Sequence, residues 1–152
     1  MNLQAILVAT DFSDCAGAAF QAAVNLGRMF QAKIILLHVI NQKRVSTLAD
    51  YLQVAPDTLL PALRERAHQQ LSDFLGRWNP DGLEVESMVG VGLPFQEIAV
   101  IAQELAVDLV TIGGYGREGR GPLEEVFFGS TAEKVVRLLP CPVLCVPLDK
   151  KG

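Results

Sequence analysis

The residues of this chain best suited to chemistry are a cluster of glycines and two adjacent hydroxyls. Residues 112 to 131, IGGYGREGRGPLEEVFFGST, hold six of the 13 glycines and end in Ser130-Thr131. Gly113, Gly114 and Gly116 stand where the apolar run DLVTI ends, and backbone amides there can approach a ligand with no Cβ in the way. Further on, Gly129-Ser130-Thr131 precedes AEKVVRLL, and Ser130 with Glu133 fits a capping box. Free amides, a positive helix end and two hydroxyls at one point make a phosphate site. The competing reading is a plain helix cap and a plain turn, because capping boxes are common. Two glycine clusters flanking one connection favour the ligand.

Other phosphate motifs fail on spacing. Gly114, Gly116 and Gly119 spell G-x-G-x-x-G, but a dinucleotide fingerprint opens a helix on the first strand and places an acid about 20 residues on. Here the loop comes late, a helix from Gly119 would contain Gly121, Pro122 and Gly129, and position 139 is leucine. No Gly-Lys-Ser/Thr exists for a Walker loop.

The elements that must position this loop are legible in the hydrophobic pattern. QAILVAT (4–10), KIILLHVI (33–40), LEVESMVGV (83–91), DLVTIGG (108–114) and PVLCVP (142–147) read as strands, several apolar at consecutive positions as in a sheet covered on both faces. Helical patterns lie between them at 14–30, 57–77, 94–106 and 130–138. In the second, Leu59, Leu60, Leu63, Ala67, Leu71, Phe74, Leu75 and Trp78 form one apolar face. This alternation predicts a single doubly wound, Rossmann-like α/β domain over residues 1–152, with a five-stranded parallel sheet and helices on both faces. The connection 41–56 is long. It reads as a surface insertion with at most a short helical turn at STLADYL, a lid or dimer contact being the alternative.

Bulk properties bound the function. Half of the residues are hydrophobic and the formal charge is −4, which argues against a nucleic-acid partner, since such partners usually need a basic face. No apolar run approaches the roughly 20 residues of a membrane span. The start, MNLQAILVATDFSD, lacks the basic opening of a signal peptide. Cys15, Cys141 and Cys145 are an odd set that reads as reduced thiols, so a cytoplasmic location is expected. Cys141 and Cys145, at even spacing, face one side of the last strand as packing residues. His38 reads as a satisfied core histidine and His68 as solvent-facing; neither has a partner at zinc spacing.

With these residues in view, the chain resembles the universal stress proteins. The likeness is carried by GGYGREGRGPLEEVFFGSTAEKVVRLLPCPVLCVP, with ILVATDFSD, IILLHVI, VGLPFQEI and AVDLVTIGGYG in support. Nucleotide-binding members of that family carry Gly-x2-Gly-x9-Gly-Ser/Thr. Gly116, Gly119, Gly129 and Ser130 fit that spacing, whereas the strand end favours Gly113 and Gly116 as the first pair, which leaves three extra residues before Gly129. The resemblance implies strand order 3-2-1-4-5. It puts adenine and ribose near Ala9, Thr10, Asp11 and Val39, with Ile112, Gly113 and Tyr115 opposite. It puts phosphates on Gly116, Gly129, Ser130 and Thr131. Asp11 has a second reading, capping the first helix together with Ser13. The implied ligand is ATP, or AMP or ADP, with magnesium as a bridge between phosphates. The implied assembly is a homodimer through the last strand, Val143 to Val146, acting as a regulatory switch on a protein partner not named by the sequence. A slow ATPase and a nucleotide-free interaction module are the alternatives. No nucleophile, base and orienting group assemble from the sequence.

Overall fold

The computed structural model describes residues 2–78, 80–114, 134, 135, 137–139 and 141–148. Five parallel strands, β1 (Ala5–Ala9), β2 (Lys33–Asn41), β3 (Val85–Gly92), β4 (Leu109–Gly113) and β5 (Val143–Val146), form one sheet in the order β3-β2-β1-β4-β5. The helices are α1 (Asp14–Phe30), α2 (Gln42–Leu52), α3 (Pro56–Trp78) and α4 (Pro94–Glu104), and residues 134, 135, 137 and 138 are also helical. The doubly wound architecture and its order are those expected. None of the described helices is long and apolar enough to cross a membrane.

The central strand explains the consecutive apolar runs. In β1, Ile6, Leu7, Val8 and Ala9 are all buried, because alternate side chains enter two different cores. Leu7, Ala9, Ile35, Leu37, Val39, Val110 and Ile112 pack beneath α4, with Ile98, Ile101 and Ala102. Ile6, Val8, Ile34 and Leu36 pack beneath α1 and α3, with Ala16, Phe20, Ala23, Leu71 and Phe74. Phe20 is fully buried, and burial of that size stabilises by about 1.5–3 kcal/mol. The register aligns Ala9 with Leu37, Val8 with Thr111 and Gly113 with Val146. One carboxylate fixes the lower end of the central pair: Asp108 Oδ2 accepts hydrogen bonds from the Gln4 and Ala5 amides at 2.8 and 3.0 Å.

α1 spans the residues its pattern indicated, and small side chains let it lie close to its neighbours. Ser13 caps it by accepting from the Ala16 amide at 3.2 Å. The Trp78 ring, at the end of α3, occupies the space that a Cβ at Gly17 would fill. Arg77 Nη2 meets Asp14 Oδ1 at 3.1 Å, and Arg28 Nη2 donates to the Asp81 carbonyl at 3.1 Å, so α3 and the turn after it are tied to both ends of α1.

The connection 41–56 departs from its expectation of a surface insertion with one short turn. Most of it is the 11-residue helix α2. The Asn41 side chain caps it by accepting from the Lys43 amide at 3.0 Å, and Gln53 closes it in the left-handed conformation. Val45 and Ala49, one turn apart, are buried, Val45 in a cluster with Ile40 of β2 and Ala67 of α3. Two small anchors on an otherwise exposed helix give a weak apolar period, so the pattern reads as loop. A minor difference is α4, which ends at Glu104 rather than continuing to 106.

Candidate functional site at the carboxyl ends of the central strands

β1 and β4 are neighbours; α1, which follows β1, packs on one face of the sheet, and Val135, in the helical residues before β5, packs on the other. At such a switch point in an open α/β sheet the carboxyl ends border a crevice. Six of the expected site residues meet here. Ala9, Val39 and Ile112 belong to one buried cluster on the α4 side. Thr10 and Asp11 continue β1 upward, and Gly113 is the last residue of β4. The other expected residues, Tyr115, Gly116, Gly119, Gly129, Ser130 and Thr131, lie outside the described residues, as does the question of which glycine pair opens the motif.

The turn from β1 into α1 is wired by its own side chains. The Thr10 amide donates to the Leu37 carbonyl at 2.9 Å, extending the β1–β2 ladder by one rung. Thr10 Oγ1 accepts from the Phe12 amide at 2.9 Å. Asp11 Oδ1 accepts from the Ser13 amide at 3.0 Å, an Asx turn. Ser13 then caps α1, so the capping task expected of Asp11 and Ser13 together is divided between them. Asp11 is half-buried, and its second carboxylate oxygen makes no hydrogen bond among the described residues. That oxygen is available to a hydroxyl-bearing ligand.

Gly113 has a packing reason to be glycine besides the approach of a ligand. A Cβ there would stand 2.9 Å from the Cys15 carbonyl carbon and Cβ, so the first turn of α1 lies directly on the end of β4. This contact also buries Cys15. The helix N-terminus is thereby held beside the carboxyl end of β4. Immediately beyond, the Gly114 amide donates to the Val146 carbonyl at 2.9 Å, joining β4 to the edge strand.

Two residues behind the turn matter more than their types suggested. His38 is half-buried and its Nδ1 lies 2.8 Å from the Thr10 carbonyl, a geometry that requires Nδ1 to carry the proton. The satisfied core histidine expected from the pattern is found, but it is bonded to the site turn itself. Phe12, which no motif singled out, has φ of 67° and rests its ring on His38 with centroids 4.4 Å apart. His68 is exposed, as expected. Cys141 and Cys145 share one face, packed against the α4-side core, and burial pushes both thiols above their ordinary value of 9.0. An open groove elsewhere, lined by Lys43, Arg44, Thr47, Leu48 and Tyr51, lies along α2 alone and contains none of the expected site residues. No group of three or more His, Cys, Asp or Glu among the described residues could hold a metal ion.

A parallel sheet of this order, with helices on both faces, defines a doubly wound α/β domain. The chain belongs to the universal stress protein family, whose model matches residues 2–147. Universal stress protein YxiE of Bacillus subtilis is 32% identical over 146 residues, covering 93% of this chain and 97% of YxiE. Universal stress protein MJ0577 of Methanocaldococcus jannaschii is 28% identical over 153 residues, and its solved structure superposes with a TM-score of 0.82 over 99% of both chains. The universal stress protein from Archaeoglobus fulgidus solved in complex with dAMP shares the fold at 22% identity, with a TM-score of 0.65 over 96% of this chain and 99% of that one.

Proposed function

We propose that this protein is a cytoplasmic adenine-nucleotide-binding regulator, taking ATP, or AMP or ADP, and acting as a dimeric switch. The observation that carries the reading is the gathering of Ala9, Thr10, Asp11, Val39, Ile112 and Gly113 at the carboxyl ends of three adjacent strands. Ala9, Val39 and Ile112, in one apolar cluster, are the residues a base would meet, and the open carboxylate oxygen of Asp11 is the acceptor for a ribose hydroxyl. The fold of the dAMP-bound relative supports the ligand class, and the residues of this chain support the placement. Phosphates fall to Gly116, Gly129, Ser130 and Thr131, with Gly119 or Gly113 completing the glycine pair, and Tyr115 beside the base. Magnesium would enter with ATP, supplying positive charge against its phosphates. Dimerisation uses the edge strand β5, where Leu144 is exposed and the nearby Leu138 and Leu148 are exposed as well. Such an edge pairs with a second copy of itself.

Calorimetric titration with ATP and with AMP, in magnesium, tests this reading on the wild type and on Gly129→Val/Ser130→Ala. The expected result is ATP affinity on the order of micromolar, lost in the double variant. Sedimentation with and without ATP reads the dimer. A folded wild type that binds no adenine nucleotide would overturn the reading in favour of an interaction module. Steady phosphate release abolished by Asp11→Asn would replace the switch with a slow ATPase.

A further inference from the structure

We infer that Phe12 and His38 form a clamp behind the β1–α1 turn that aims the Asp11 carboxylate before ligand arrives; this rests on the nucleotide site proposed above. Four described non-glycine residues have positive φ: Phe12, Gln31, Gln53 and Ala106. Gln31 and Gln53 close α1 and α2, and Ala106 comes just after α4, at helix ends where the left-handed conformation is common. Phe12 instead precedes a helix, with a bulky side chain that disfavours this conformation. Strain of this kind persists only where the surroundings over-determine it.

The surroundings here are specific. The Phe12 ring lies on His38 at 4.4 Å with a 34° tilt and meets Phe74 edge-on at 6.2 Å. Its amide is held by Thr10 Oγ1. His38 Nδ1–H donates to the Thr10 carbonyl at 2.8 Å. One imidazole therefore grips the residue before Asp11 through its carbonyl and the residue after it through its ring. With both neighbours pinned and Oδ1 bound to the Ser13 amide, the direction of the free Asp11 oxygen is set by the protein. Leu37 and Val39 face the α4 side of the sheet, so His38 between them faces the other side, and Phe12 packs with the α1/α3 core. The clamp lies across the sheet from Ala9, Val39 and Ile112. It acts through Asp11, by preorganisation, and both members are positioning residues.

A double-mutant cycle tests this, with magnesium-ATP as the probe: wild type, Phe12→Leu, Asp11→Asn and the double variant, each checked for folding by circular dichroism and thermal melting. Phe12→Leu keeps an apolar side chain and removes the ring. The expected result is about a tenfold loss of affinity from Phe12→Leu in the wild-type background and less than about twofold in the Asp11→Asn background. His38→Phe, which keeps a ring against Phe12 and removes the bond to Thr10, runs the same cycle and carries the test if Phe12→Leu is unfolded. Its expected loss is about threefold, again confined to the background with Asp11 intact. Equal losses in both backgrounds, or none in either, would overturn the clamp while leaving the nucleotide site standing. A wild type that does not bind removes the site and the clamp together.

Discussion

The contact between Gly113 and the first turn of α1 turns one substitution into opposite outcomes at two glycines. At Gly113 an added Cβ would lie 2.9 Å from the carbonyl carbon and Cβ of Cys15 and 3.0 Å from its carbonyl oxygen. Carbon atoms pack at about 3.5–4.0 Å, so the methyl intrudes by about half an ångström or more on atoms that no side-chain rotation can move. Either α1 lifts from β4 or the strand end shifts, and overpacking of this kind costs about 1–3 kcal/mol. In a chain of 152 residues each kcal/mol moves Tm by about 2–4 °C, so Gly113→Ala should melt roughly 2–12 °C below the wild type. Gly76 is the control. It is exposed inside α3, and nothing lies within 4 Å of its hypothetical Cβ. There the gain in helix propensity dominates, about 0.5–1 kcal/mol, and Gly76→Ala should melt roughly 1–4 °C higher. Calorimetric melts of the three proteins at equal concentration decide it. A Gly113→Ala melting point at or above that of the wild type, with Gly76→Ala raised as expected, would refute the claim that α1 rests on β4 at this residue.

Two further outcomes follow from the same geometry. Asp108→Ala deprives the Gln4 and Ala5 amides of their shared acceptor, and because the first of these bonds is exposed the loss should be about 1–2 kcal/mol, with Asp108→Asn milder. Urea unfolding should show a lower midpoint with unchanged slope, and an unchanged midpoint would remove Asp108 from the account of how β1 is anchored. Burial raises the Cys145 thiol, and burial, with a smaller contribution from Asp108, raises that of Cys141. A group raised in the folded state keeps its full contribution to stability below the unfolded value of 9.0 and loses it as pH climbs above 9.0 toward the folded value. Stability should therefore decline above pH 9.0 more steeply in the wild type than in Cys141→Ala/Cys145→Ala, and both thiols should react more slowly with a disulfide reagent at pH 8 in the folded protein than in urea. Parallel pH profiles for the two proteins would contradict the burial.

What the sequence alone determined is whatever depends on neighbours along the chain. The unbroken apolar runs of β1 and β2 announced strands buried on both faces, and Ser13 followed by an apolar periodicity marked α1 at Asp14–Phe30. Asp11 at the end of β1 and glycines at the end of β4 were visible because a turn writes its requirements into adjacent residues. α2 was not, since its two buried anchors, Val45 and Ala49, matter only once the tertiary surfaces that bury them exist. The strand order came through family likeness, because pairing β1 between β2 and β4 joins segments far apart in sequence and leaves no local trace. Tertiary structure alone decided that Gly113 must make room for Cys15, that Trp78 fills the notch at Gly17, and that His38 bonds to the turn beside Asp11. It also decided the left-handed backbone of Phe12, a conformation its local preference opposes and only packing from β2 and α3 can hold.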